Sequence, residues 1–140
     1  MLLAMLSARP AAADEPAGEV VRVTSRGQLY GAIKHATPGR RIVIAPGEYR
    51  GRGPFLIGTR GPAEAPIVIE GEDPDDPPII RGGGEGMHFS NAEHLTLRNI
   101  IIDGAADNGI NIDDGSDFET PARHITLERI TVRNVGKGGN

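Results

Sequence analysis

The chain reads AEHLTLRNIII over residues 92–102 and ARHITLERITV over residues 122–132, so the two stretches repeat each other at a constant offset of 30 residues. Ala, His, Thr and one Leu recur identically, and every aliphatic position keeps its aliphatic character. A repeat of this kind is typical of stacked, structurally equivalent coils. It favours a solenoid over an antiparallel sandwich or barrel, the other architecture open to a chain of short strands.

Short aliphatic segments with period-two alternation precede and include this repeat. Each is bounded by Gly, Pro, Asn or Asp, which predicts strands of about three to five residues. The segments cover residues 42–44, 55–57, 67–69, 79–80, 87–89, 95–97, 100–102, 110–112, 125–127 and 130–132. No helical pattern lies between them, which excludes a doubly wound α/β fold because its parallel crossovers need helices.

The spacing of the segments predicts the stacking register. Ile42 lies 25 residues before Ile67, Ile67 lies 28 before Leu95, and Leu95 lies 30 before Ile125. We expect these four residues to lie above one another in about four coils, with loops of variable length between them. Each strand then pairs with its equivalent in the next coil, and the inward Ile, Leu and Val form aliphatic columns.

One amphipathic helix is predicted, at residues 25–36, before the first coil. Ser25 and Gln28 have capping-box spacing, and Leu29, Ile33 and their neighbours fall on one face. This helix is expected to cap the first coil, and no comparable element follows the last one. Since solenoids need protected ends, the chain is expected to be incomplete at its C-terminus and its exposed last coil to self-associate.

Composition and the first residues limit the class of protein. The formal charge is −4 and the arginines are scattered, which argues against nucleic acid as a partner. No stretch reaches the roughly 18 apolar residues of a membrane span, and the chain has no Cys. Residues 1–13 resemble the end of a signal peptide, which predicts a secreted, periplasmic or surface protein. Residues 14–24 are a lead-in, and 25–140 form a single domain.

Residues 29–51 resemble the opening of the pectin-lyase-like superfamily of right-handed parallel β-helices. In both, a helix leads through Pro38-Gly39 into a first strand and then a Gly-x-Tyr turn at Tyr49. Residues 61–71 are similar to the chondroitinase B and alginate lyase group, polysaccharide lyase family six. The resemblance covers about residues 25–136 and implies an all-β, right-handed parallel β-helix.

The same resemblance implies chemistry on uronic-acid polymers. In that group a basic residue removes the proton next to the sugar carboxylate, while calcium or arginine stabilises the developing charge. The lysine and arginine of the family have no matching positions in this chain. Lys34 lies on the predicted helix and Lys137 in the terminal turn. We therefore assign no catalytic residue and expect this chain alone to be inactive, with the catalytic residues beyond residue 140.

A polar cluster at residues 103–117 offers oxygen ligands. Asp113, Asp114 and Asp117 are the candidates for a calcium site, because calcium prefers six to eight oxygens. The spacing does not match an EF-hand loop. Asp is also an ordinary turn residue, and this interpretation is favoured.

Four side chains are candidates for binding an acidic polysaccharide. Arg98, Arg129 and Arg133 flank strands of adjacent coils, and His88 alternates with inward apolar residues and should point outward. Ordinary solvated strand residues are the competing interpretation. His94 and His124 are equivalent positions and should stack. A transition metal needs three or four ligands, and the sequence indicates no third, which favours a solvated pair.

Two functions remain open at the level of sequence. The first is a secreted β-helix protein acting on polysaccharide, a lyase or epimerase of uronic-acid polymers in its full-length form. The second is a non-enzymatic carbohydrate-binding or surface solenoid. A fold shared among many activities does not decide between them.

Overall fold

The computed structural model describes residues 18–51, 55–56 and 58–137. The predicted signal peptide, most of the lead-in, residue 57 and residues 138–140 lie outside these ranges. The described residues form one helix, α1 Arg26–Lys34, and ten strands. The strands are β1 Val20–Val23, β2 Arg41–Ile44, β3 Glu48–Arg50, β4 Phe55–Leu56, β5 Ile67–Gly71, β6 Ile79–Arg81, β7 Met87–Ser90, β8 Glu93–Asp103, β9 Ile110–Asp113 and β10 Arg123–Arg133.

All strand pairs are parallel, and they form three stacks. In the first stack β1 pairs with β2, β2 with β5, β5 with the first half of β8, and that half with β10. In the second stack β3 pairs with β6, and β6 with the second half of β8. In the third, β7 lies between β4 and β9. Successive coils thus satisfy one another's backbone, as a β-rich solenoid requires.

The register confirms the repeat and corrects one of its extensions. Leu95 pairs with Ile125, 30 residues later, and with Ile67, 28 residues earlier, as predicted. Ile42 pairs with Ile69, so its predicted stacking on Ile67 is wrong by two residues. A slip of two keeps every side chain on the same face, so a period-two pattern cannot distinguish the two registers.

The two strands predicted on each side of residue 99 are one bent strand. β8 runs for 11 residues and bends at His94 and Asn99, where φ is 52° and 56°. β10 bends at the equivalent His124 and Arg129, with φ of 55° and 50°. Left-handed residues at matching positions turn both coils at the same places, so the inward columns stay aligned.

Two strands escaped prediction. β1 lies in the predicted lead-in and pairs with β2 along its whole length. β3 replaces the predicted turn around Tyr49. It has one inward residue, because Glu48 and Arg50 are exposed while Tyr49 is 3% exposed. The Tyr49 hydroxyl donates to the Ala45 carbonyl at 2.7 Å, so this buried polar group is satisfied.

The helix is shorter than predicted but is capped as predicted. The Ser25 hydroxyl accepts from the Gln28 backbone N–H, and the Gln28 side-chain oxygen accepts from the Thr24 N–H at 2.8 Å. Leu29 and Ile33 are buried in the same apolar cluster as the strands. α1 ends at Lys34, with His35 as its C-cap. No helix among the described residues is long and apolar enough to cross a membrane.

The core consists of stacked aliphatic side chains. Those fully buried include Ile42, Ile44, Ile67, Ile69, Ile80, Leu95, Leu97, Ile100 and Ile102. Gly71 lies against the Asn99 bend, and a Cβ there would lie 2.1 Å from the Asn99 carbonyl oxygen. Only glycine therefore fits where one coil passes this bend of the next.

The last described strand has a free edge. Among the described residues, β10 has one partner strand, β8. Leu127 and Val132 are 44% and 42% exposed, although Leu97 and Ile102, their partners in β8, are fully buried. Inward-type side chains of β10 therefore face solvent across an unpaired edge.

Candidate functional site

The largest concentration of outward polar side chains lies on the stacked strands β8 and β10. His94, Thr96 and Arg98 alternate with inward Leu95 and Leu97 along β8. The register places His124, Thr126 and Glu128 of β10 next to them. These six side chains, with Ala63 and Pro66 at one end, line an open groove of about 320 Å³. We call this the β8–β10 groove.

Two stacked imidazoles stand at one end of the groove. The His94 and His124 rings have centroids 4.4 Å apart and planes 6° from parallel. Both residues occupy the left-handed bend that begins the coil, so the backbone directs both side chains the same way. The histidine stack predicted from the offset of 30 is thus present.

Glu93 lies beside the histidine stack and between two arginines. Its carboxylate accepts from Arg60 at 2.5 Å and from Arg123 at 2.6 Å, and it lies 3.7 Å from the His94 ring. The hydrogen bond from Arg123 is the largest of the effects that lower the pKa of Glu93. Glu93 therefore remains an anion at this end of the groove.

Arg98 lies inside the groove and is held from below. Its Nε donates to Glu70 at 2.6 Å, and Arg41 also pairs with Glu70. The Glu70 side chain is 6% exposed. This guanidinium is therefore fixed in place, with 16% of its side chain open to the groove side.

The other two predicted binding arginines do not line the groove. Arg129 is at the next bend, where its Nε donates to Asn99 Oδ1 at 2.6 Å. Arg133 donates to Asp103 at 2.9 Å in the second stack. Hydrogen bonds from Asn134 and then Arg133 hold the pKa of Asp103 below its usual value. The structure therefore does not gather Arg98, Arg129 and Arg133 around one site.

His88 belongs to a different part of the molecule. It lies on β7 in the third stack, with Nδ1 3.0 Å from Glu85 and Nε2 2.5 Å from Asp113. Its side chain is 18% exposed. His88 thus links two carboxylates of successive coils and does not face the β8–β10 groove residues.

The three predicted calcium ligands make the bonds of turn residues. Asp113 accepts from the Gly115 N–H, Ser90 and His88, which together lower its pKa. Asp114 accepts from the Ser116 N–H at 2.9 Å, and Asp117 from the Glu119 N–H and the Thr120 hydroxyl. The structure does not bring the three carboxylates together as one ligand set, so they do not fit a single calcium centre. Calcium stays a prediction.

One group of possible metal ligands does converge. Within the described ranges, Glu93, His94 and His124 are the only three His, Asp or Glu side chains whose ligand atoms all lie within 4.8 Å of one another. Sequence reasoning missed Glu93. The repeat carried a signal for it, because Glu93 and Arg123 are opposite charges at the offset of 30, as are Asp103 and Arg133.

Comparison with solved structures shows the fold. The chain superposes on an alginate lyase from Paenibacillus sp. str. FPU-7 with a TM-score of 0.65 and 19% identity, over 85% of this chain and 46% of that one. It superposes on the PL6 family alginate lyase AlyGC with a TM-score of 0.63 and 19% identity, over 81% of this chain and 15% of that one. This chain thus spans less than half the length of either lyase, and it shares their β-helix architecture.

The other two comparisons gave no relative. No protein-family model matches the chain, and no curated protein matches it.

Proposed function

We infer that this chain is part of an exported β-helix protein that acts on acidic polysaccharide. The observation that carries the inference is the β8–β10 groove, on a fold shared with alginate lyases. Its Thr96 and Thr126 hydroxyls can bond sugar hydroxyls. Arg98 and the two imidazoles can donate to a uronate carboxylate, for which charge-assisted hydrogen bonds are the strongest available contacts.

In the full-length protein, we propose β-elimination or epimerisation of uronic acids. A base removes the proton next to the carboxylate in both reactions. In elimination the glycosidic C–O bond then breaks, leaving an unsaturated sugar, and the leaving oxygen takes up a proton. In epimerisation a proton returns to the opposite face. We assign neither step to a residue of this chain.

A second candidate is a non-catalytic carbohydrate-binding solenoid. It is favoured by the groove itself, which contains no lysine among the residues that line it. Its one arginine, Arg98, is already paired with Glu70. Such a groove can hold an anionic sugar, but it offers no free strong base to deprotonate one.

Both candidates share a proposed architecture. We propose that the three stacks close into a right-handed coil and that α1 covers its first turn. Leu29 and Ile33 pack into the strand core, which supports this role for the helix. The predicted signal peptide at 1–13 supports export, and neither feature depends on which candidate is correct.

The test measures binding and turnover on the same sample. We expect alginate in a native gel to retard this chain, and Thr126→Asp to abolish the retardation by placing an anion in the groove. Thr131→Asp is the matched control, because Thr131 is also exposed on β10 but lies outside the groove. Equal retardation of both variants would exclude the groove.

Turnover separates the two candidates. Incubation with alginate, chondroitin or pectate should leave the ultraviolet absorbance of the unsaturated product flat for this chain. A rising trace would show that residues 1–140 contain a catalytic base after all. A full-length protein that also gives a flat trace, and no epimerised product, would favour the binding solenoid.

A further inference from the structure

We propose that Glu93, His94 and His124 bind a divalent transition metal of the zinc class at the end of the β8–β10 groove. Two imidazoles and one carboxylate are a common zinc ligand set, and such sites keep a position open for water or a ligand. Here the open position would face the groove. The proposal does not rest on the proposed function.

The backbone brings the three residues together. Glu93 and His94 are neighbours in β8, and His124 is stacked on His94 one coil away. Both histidines are held in the left-handed conformation, which is uncommon for residues other than glycine and asparagine. Two successive coils therefore place an imidazole at the same uncommon bend, and the acidic residue before the first one completes the set.

A modest rearrangement would close the site. A metal lies in the plane of each bound imidazole at about 2.0–2.1 Å from nitrogen, so two parallel rings cannot share it as they stand. Rotation about χ2, a broad torsion for histidine, turns the rings toward a common point. His124 is exposed and His94 borders the groove, so both rings have room to turn.

The two arginines on Glu93 compete with a metal but do not exclude it. An ionised carboxylate has about four lone-pair sites, and Arg60 and Arg123 each occupy one oxygen through one bond. The Arg123 side chain is 57% exposed and free to move toward solvent. Its positive charge opposes a divalent cation, so removing that charge should strengthen binding.

The experiment titrates the full chain with zinc alone, and with cobalt(II) as a coloured substitute, near neutral pH. We expect one ion per chain. His124→Asn and Glu93→Gln should each weaken binding about tenfold or more, since even an outer partner of a ligand typically contributes about 10- to 100-fold. Arg123→Gln should tighten binding by roughly threefold to tenfold, as expected for one charge removed at short range. His35→Asn, an exposed histidine elsewhere, should change nothing.

Several results would overturn the proposal. They are unchanged affinity in His124→Asn or Glu93→Gln, an equal loss in His35→Asn, or weaker binding in Arg123→Gln. Circular dichroism establishes that each variant is folded. If a variant fails to fold, X-ray absorption of zinc bound to the unmodified chain decides. Scattering from two imidazoles supports the site, and scattering from one or none excludes it.

Discussion

Seven non-glycine residues of the described chain adopt the left-handed conformation, and they differ in how well they tolerate it. They are Asn91, His94, Asn99, Ser116, His124, Arg129 and Asn134. Asparagine visits this region readily, whereas residues such as arginine pay roughly 1–2 kcal/mol. Arg129, stacked on the equivalent bend at Asn99, is therefore the clearest local mismatch between a residue and its conformation.

Replacing Arg129 with asparagine should stabilise the protein. The substitution relieves the left-handed penalty but removes the bond from Arg129 to Asn99 Oδ1, so we expect a net gain of about 0.5–1 kcal/mol. The measurement is urea unfolding followed by circular dichroism, with the midpoint moving to higher urea.

The same substitution at Arg98 is the matched control and should have the opposite sign. Arg98 lies in extended strand and donates to the buried Glu70. Arg98→Asn leaves Glu70 with Arg41 alone, at a cost of about 1–3 kcal/mol. If the two substitutions shift the midpoint in the same direction, the conformational explanation of the first is wrong.

At this scale the sequence allowed some predictions and prevented others. A turn at Asn99 and a stack of His94 on His124 follow from residue type and from the offset of 30. Nothing in the residue type of Arg129 indicates a left-handed bend, because tertiary stacking imposes it. Glu93 as a third ligand depends on a side-chain direction that only the folded bend defines.

At the scale of elements, β10 combines a free backbone edge with exposed inward-type side chains. An unpaired, apolar edge is a template for another strand. We therefore expect concentration-dependent self-association of this chain. Leu127→Lys should shift the sedimentation profile toward the monomer, because a charge on the exposed end of the core opposes docking.

Thr126→Lys is the control for this prediction. It puts the same charge on the neighbouring residue of β10, but on the outward face. We expect its sedimentation to match that of the unmodified chain. A monomer at all concentrations before any substitution, or equal effects of both lysines, would contradict association through the core end of β10.

The elements themselves were predictable to different degrees. Long aliphatic triplets identified most strands. β3 was missed because one inward residue, Tyr49, carries it, and β1 because Val20–Val23 precedes the helix and was counted as lead-in. The register at Ile42 slipped by two because alternation fixes the face and not the neighbour.

The whole molecule is crossed by ion pairs that join one coil to the next. Arg22 pairs with Glu72, Arg123 with Glu93, and Arg133 with Asp103. The pKa of each of these carboxyl groups is lowered in the fold, chiefly by hydrogen bonds from Arg22, from Arg123 and, for Asp103, from Asn134 and then Arg133. The acids thus act together on the stability of the stack.

Stability should therefore fall in acid. A carboxyl whose folded pKa lies below its unfolded value, about 4, contributes stability that is fully present above that value and is lost as pH falls through the folded pKa. We expect the thermal midpoint to change little from neutral pH to about pH 5 and to drop below about pH 4. Thermal unfolding by circular dichroism across this range is the measurement.

Asp103→Asn is the informative variant for the acid transition. It should be less stable at neutral pH and should lose less on acidification, because one of the titrating carboxyl groups is absent. An acid loss as large as that of the unmodified chain would show that Asp103 does not contribute to the transition.

The parallel register of β8 and β10 also has a mechanical consequence. The bonds between coils lie along the stack, so tension applied along that direction loads them one after another as a coil is peeled away. Rupture by peeling needs less force than shearing many bonds at once. A molecule built in this way would yield to traction by unwinding from β10, one coil at a time, while the coils nearer the helix kept their form.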